Sequence, residues 1–447
     1  MPSAEMTLLI FSDASFHNFQ RKYFMNDSLL KIDYTKFRLD NGLEVILYPD
    51  TTLPTVAVNI WYRVGSANER QGKTGFAHLF EHMMFQGSEN IPKEGHFKYV
   101  QEAGGTLNGS TSIDRTNYYE SLPANSLELA LWLESDRMGF MLPGLTQEKL
   151  DNQKDVVMNE RRQRYENQPY GLTWEILFSN LYTNDHPYSW PTIGWMEDIK
   201  KFELDDVKNF FKKYYSPNNA ALVIGGNFKI DEAKELVEKY FGGIQSSGEV
   251  LPVEAPVQKL IENKLVIHED NVQLPRIHFA WHSDKMFGDD DAALDILADV
   301  LSSSKNSRLQ KNLLFEKQIA QDASAFQYSA KLSGSFIIFA TAKPGITLDE
   351  IKKEIFSEIE QLIKNGITEE ELVRAKNSIK SSYIYSLQKL DTVVDHLNHY
   401  NYFLNEPDSF VFDIERYEEV TAEKVKQTAK KYLDNPYVEL RIIPKSN

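Results

Sequence analysis

A chain of 447 residues, 42% hydrophobic and 12% aromatic, is long enough for two to four well-filled domains and reads as an ordinary soluble globular protein. Its formal net charge of −16 argues against a nucleic-acid partner, which would need clustered Lys and Arg that carboxylates do not outweigh. The absence of cysteine excludes disulfides and thiolate ligands, so a bound metal would have to use His, Asp or Glu.

Residues 1–11 lack a basic region ahead of an apolar core and lack a small-residue cleavage site, so they make a poor signal peptide. No apolar run is long enough to span a bilayer, and the cytoplasm is the expected location. Residues 1–30 read as an N-terminal extension outside the fold, with Met25 as an alternative start. From Tyr34 to Tyr48 the pattern alternates and is broken by Asn41-Gly42, which predicts two strands of a hairpin. Residues 55–64 form a third strand, followed by a polar turn at Gly65-Ser66. Residues 74–87 show helical periodicity, with His78 and His82 one turn apart on the same face. A second helix over 95–103 ends at Gly104-Gly105. A polar strand, 106–112, and its hairpin partner, 116–122, follow. Ser126 is the expected N-cap of a helix running through Arg137, and Thr146 that of a long helix from Gln147 to about Asn167. Beyond the loop 186–194, the pattern predicts a helix over 204–215, a buried strand over 220–225 and a helix over 231–241.

Residues 242–256 have the composition of a linker. They separate a first domain, 31–242, from a second, 261–447, with 243–260 between them. Val207, Lys208, Lys212, Lys213 and Tyr214 recur as Val425, Lys426, Lys430, Lys431 and Tyr432, an offset of 218 residues, and an apolar strand follows each copy. The expected fold class is therefore α+β: two homologous α/β-sandwich halves, duplicated and diverged, each a mostly antiparallel sheet with helices packed on it.

His78, Glu81 and His82 form the inverted H-x-x-E-H zinc-peptidase motif. The two imidazoles have metal-ligand spacing, and Glu81 sits where a carboxylate could hold a metal-bound water without being a ligand. A third ligand must come from elsewhere, and spacing alone leaves Glu148, Glu160 and Glu166 as candidates. The second half has no such motif: its corresponding helix, near 289–301, carries no histidine. His278 and His282 fall on a strand, ~13 Å apart, too far for one metal. His396 and His399, near Asp391 and Asp395 on a helix, are weighed as an accessory metal site against a solvated helix face.

His78-Leu-Phe-Glu-His82, then Gly104-Gly-Thr-Leu-Asn-Gly-Ser-Thr, Asp155-Val-Val-Met-Asn-Glu-Arg-Arg162, Asn167-Gln-Pro-Tyr170 and His186-Pro-Tyr-Ser-Trp-Pro-Thr-Ile-Gly194 together resemble the pitrilysin/insulinase zinc metallopeptidases, family M16. The chain is most similar to the short, processing-peptidase-like members. The resemblance implies one zinc ion per chain, with Glu160 as the third ligand beside His78 and His82, and Glu81 as general base. It implies a peptide or unfolded-polypeptide substrate, bound along an edge strand at Asn108 and Gly109, the latter usually Ala in the family. Gln153 stands where many members have a glutamate supporting the site. In fused relatives the zinc-free half supplies an Arg and a Tyr to the substrate, and the matching positions here are Ser335 and Ala342. The resemblance therefore implies a heterodimer with a homologous subunit that lacks H-x-x-E-H, or else a homodimer. The alternative is a non-catalytic or assembly subunit of such a complex.

Overall fold

The computed structural model describes residues 30–445. The extension expected over 1–30, Met25 included, lies outside the described residues except for Leu30, which is buried.

Six strands make the first sheet: β1 (Thr35–Arg38), β2 (Glu44–Pro49), β3 (Thr55–Tyr62), β4 (Thr106–Thr111), β5 (Thr116–Pro123) and β6 (Ala220–Gly226). Their order is β1-β2-β6-β3-β5-β4. β1 and β2 form the antiparallel pair expected around Asn41-Gly42, where Gly42 has φ +90° and a Cβ would meet Asn218 Cβ at 2.9 Å. The sheet is antiparallel except between β2 and β6.

The second sheet contains β7 (Lys264–Asp270), β8 (Arg276–Ser283), β9 (Ala320–Ser329), β10 (Gly334–Ala342) and β11 (Val438–Pro444), in the order β7-β11-β8-β10-β9. Here again one pair, β7 with β11, is parallel and the others are antiparallel. Strand for strand this repeats β2-β6-β3-β5-β4, so the duplication read from the lysine-rich helices holds for the topology of the whole sheet.

The longer helices of the first half are α1 (Phe76–Met83), α2 (Gly95–Glu102), α3 (Leu127–Phe140), α4 (Gln147–Arg161), α5 (Thr173–Leu181), α6 (Leu204–Tyr214) and α7 (Ile230–Phe241). Those of the second are α8 (Asp291–Ser302), α9 (Leu348–Asn365), α10 (Glu369–Ser386), α11 (Leu390–Leu404), α12 (Phe410–Glu418) and α13 (Ala422–Leu433). Thr146 caps α4 as expected, its hydroxyl accepting from Lys149 N–H at 3.2 Å. Ser126 precedes α3 but makes no side-chain cap, because a 3₁₀ turn, Ala124–Ser126, leads directly into the helix. The expected last turn of α4 widens into a π-turn, Arg162–Glu166, directly after Glu160 and Arg161.

Buried side chains of α1, α3, α4, α6 and α7 fill one face of the first sheet. Its other face is covered from the second half: Val393, Val394 and Leu397 of α11 pack on Ile46, Ala57 and Val223. The exchange is reciprocal. Leu177 and Leu181 of α5 pack on Ala280, Ile337 and Leu440 of the second sheet. Each sheet is thus apolar on both faces, which accounts for the nearly unbroken burial of β3 and β6.

Polar contacts fix the docking of α11. Asp395 Oδ1 accepts from Asn59 Nδ2 at 2.9 Å and Trp61 Nε1 at 3.1 Å, while Asn398 Nδ2 donates to the Asn59 carbonyl at 2.9 Å. Asp395→Ala would deprive Asn59 Nδ2 and Trp61 Nε1 of this acceptor. A stability loss of about 2–3 kcal/mol is expected in urea titration, and a loss below about 0.5 kcal/mol would mean that α11 is held by apolar packing alone.

A candidate metal-dependent active site on helix α1

Helix α1 is amphipathic and short. Phe76, Ala77, Leu79, Phe80 and Met83 are buried in the core, leaving His78, Glu81 and His82 half-buried on the other side. Gly75, at φ +93°, starts the helix, and the Glu69 carboxylate closes its N-terminus by accepting from Gly75 N–H and Ala77 N–H, each at 2.8 Å. A carboxylate there also faces the positive end of the helix dipole.

The loop 186–194 lies against this same end. A Cβ on Gly194, itself at φ +80°, would come within 2.4 Å of Gly75 Cα. Arg161, buried next to Glu160, donates from Nη1 to the Gly194 carbonyl at 3.0 Å and pairs with Glu175 at 2.8 Å. The end of α4 and the start of α1 are therefore fastened to one loop, and this fixes Glu160 relative to the histidines.

Glu160 Oε2 lies 3.2 Å from His82 Nε2 and 3.8 Å from His78 Nε2. One donor atom from each of the three residues falls within 4.8 Å of the others, the one such group among the described residues. Tetrahedral ligation at zinc distances places ligand atoms about 3.3 Å apart, so two imidazoles and a carboxylate fit that ion with little movement. The protonation states fit as well. Burial, reinforced by His82, pushes the His78 imidazole down to about 4, and the hydrogen bond with His82 holds Glu160 below the usual carboxylate range. A neutral imidazole and an ionised carboxylate are the forms that ligate metal.

Glu81 points toward β4. Its Oε2 accepts from the Thr111 hydroxyl at 2.6 Å, and burial raises its pKa. A Cβ at Gly109 would sit 3.2 Å from Glu81 Cγ, so a side chain at this position would press on Glu81. β4 is the last strand of its sheet and pairs only with β5. Asn108 is exposed there, and its Oδ1 accepts from Gly109 N–H at 2.9 Å, so that amide is not spent on β5.

Other expectations fare differently. Gln153 is buried two turns before Glu160, but its amide donates to Asn152 Oδ1 at 3.0 Å, and the structure gives it no bond to a ligand histidine. His78 Nδ1 is buried without a hydrogen-bond partner. His396 and His399 form no metal group: they sit among aromatic rings, His399 4.7 Å from Phe403 and His396 5.6 Å from Tyr400, while Asp395 is occupied by α11 docking. His278 and His282 lie on strand β8 as expected.

Sequence reading passed over three residues of the site. Thr111 shares strand parity with Gly109 and was legible on that ground. Arg164, 2.8 Å from Glu160 Oε1, stands one helical turn on, at salt-bridge spacing. Glu69 carries no local signal, since only folding brings it to α1.

Two family models match the chain: insulinase (peptidase family M16) over residues 44–190, and peptidase M16 inactive domain over residues 201–379. His78, His82 and Glu160 all fall within the first. The zinc protease PqqE of Helicobacter pylori is 32% identical over 361 residues, covering 79% of this chain and 80% of that protein. A probable mitochondrial-processing peptidase subunit beta of Arabidopsis thaliana is 24% identical over 412 residues, covering 88% and 75%. The crystal structure of a protease from Helicobacter pylori superposes with a TM-score of 0.85 at 28% identity, covering 93% of this chain and all of that one. With its duplicated sheets, its inverted histidine motif and these relatives, the chain belongs to peptidase family M16, the insulinase family.

Proposed function

We propose that the chain is a zinc-dependent endopeptidase of peptides or unfolded polypeptides. The observation that carries this reading is the convergence of His78, His82 and Glu160 beside Glu81 and the open edge of β4. One zinc ion would be held by those three side chains, and when bound it would polarise the scissile carbonyl and lower the pKa of water at the site. Thr111 occupies Glu81 Oε2, which leaves Oε1 to take a proton from the attacking water and return it to the leaving amine. The substrate backbone would add to β4 as a further strand, with Asn108 yielding the Gly109 N–H to it. In this reading residues 31–242 carry the chemistry, and 261–447 supply wall and binding surface. The test is metal content together with cleavage of a quenched peptide. Hydrolysis should disappear with a chelator and return with zinc, whereas a zinc-loaded chain that cleaves none of a broad peptide set even in its dimeric form would identify an assembly subunit instead.

The active form is proposed to be a dimer, with a homologous partner that lacks H-x-x-E-H or with a second copy. Ser335 and Ala342 are buried in β10, between β8 and β9, and offer a substrate neither charge nor phenol. Among the described residues no helix is long and apolar enough to cross a membrane. Purified alone, the chain is expected to bind zinc yet cleave slowly until a partner is added. Full activity from a verified monomer would refute the dimer, and full activity from a dimer of this chain alone would select the homodimer.

A further inference from the structure

In the duplicated fold β7 stands where β2 stands in the first half, but only β2 is covered. There β1 pairs antiparallel with β2, and α7 sends Ala233, Val237 and Phe241 into the core that buries Val45 and Leu47 completely. Among the described residues neither β1 nor α7 has a counterpart in the second half, so β7 is an edge strand paired only with β11. Val438, Leu440 and Ile442 of β11 face α5. Leu265 and Ile267 are in register with the residues between them, Glu439 and Arg441, and therefore point to the other side, the places that Val45 and Leu47 hold in β2. They are 58% and 59% exposed, and Val257 and Ile261, just ahead in the chain, are exposed as well. An open edge strand with apolar side chains is a template for another strand.

What covers β2 shows what would fit β7: a strand antiparallel to it that adds apolar side chains on the helix side. A two-fold axis through the middle of β7 supplies such a strand from a second copy, because it sets the strand antiparallel to itself. The strand reads Lys264-Leu-Val-Ile-His-Glu-Asp270, so pairing about Ile267 puts Lys264 opposite Asp270 and gathers Leu265 and Ile267 of both copies on one side. Lys264 donates to the Asn180 carbonyl and Asp270 accepts from Tyr170 N–H, contacts with neutral backbone that leave both charges uncompensated. A parallel partner would instead set like charge on like. We infer that β7 is a homotypic docking edge, through which two copies of this chain join their five-stranded sheets into one continuous sheet. β7 takes no part in the site on α1 and β4, so the inference stands apart from the peptidase reading.

Two readouts test it on the full chain. One strand per partner makes a small, weak interface, so sedimentation velocity is run from about 1 to 200 µM. Wild type should self-associate across that range, and Leu265→Lys and Ile267→Lys should each halve the sedimenting mass at the highest concentration while far-ultraviolet circular dichroism stays unchanged. The lack of native cysteine gives the second readout. Antiparallel pairing about Ile267 brings its Cβ to about 4.5–5.5 Å from that of its copy, close to disulfide reach. Mild oxidation should therefore link Ile267→Cys into dimers at least about tenfold faster than Leu53→Cys, a matched control that is 60% exposed in the loop between β2 and β3. A wild type that never self-associates overturns the second copy as occupant and leaves the edge to a strand of another protein. A mass that both lysine variants retain, or equal cross-linking of the two cysteine variants, places self-association on another surface and overturns the inference.

Discussion

Glu81→Gln is expected to lower kcat by about 10²–10⁴-fold while zinc stays bound. The substitution keeps the size and one carbonyl oxygen of the side chain, and it leaves His78, His82 and Glu160 untouched. What it removes is the group able to accept a proton. The Thr111 hydroxyl, 2.6 Å from Oε2, can still donate to the amide oxygen, so the side chain should hold its place. Zinc content by elemental analysis and kcat on a quenched peptide separate the two effects. Turnover within tenfold of wild type would remove Glu81 as base, and loss of zinc would show that the side chain has a structural part in the site.

The contrast between Glu81 and Glu160 explains how far the sequence could be read. Residues on one short helix keep a fixed angular relation, so the 3.6-residue period placed His78, Glu81 and His82 together before any fold was known. Glu160 lies on a different helix, and nothing in its local pattern separates it from Glu148 or Glu166. Tertiary packing makes the distinction: Arg161, tied to the Gly194 carbonyl, sets the rotation of the end of α4. Glu148 is exposed in the first turn of α4, and Glu166 falls in the π-turn, 3.4 Å from Arg161 Nε. The same limit applies to the fold. The β1–β2 hairpin and the α6/β6 repeat in α13/β11 are local and were legible, whereas the exchange of α5 and α11 between halves depends on which apolar face meets which sheet. An accessory site of His396 and His399 with Asp391 and Asp395 had to be weighed against a solvated helix face for the same reason, since sequence does not show that Asp395 is already bonded to Asn59 and Trp61.

Glu160→Gln should reduce zinc affinity by at least about 100-fold, the upper end of what a supporting partner of a ligand contributes. The change deletes the negative charge that faces both Nε2 atoms and strands the exposed Arg164 that pairs with Oε1 at 2.8 Å. Two neutral imidazoles alone hold a divalent ion poorly, because no anion offsets its desolvation and a ligand position is lost. Glu166→Gln is the matched control. It removes a carboxylate six residues on, half-exposed and turned toward Arg161, and should change zinc affinity by less than about twofold. Competition against a zinc indicator, with far-ultraviolet circular dichroism to establish that both variants are folded, measures the pair. Normal zinc binding by Glu160→Gln would show that the ion is held elsewhere, and a loss confined to Glu166→Gln would move the third ligand into the π-turn.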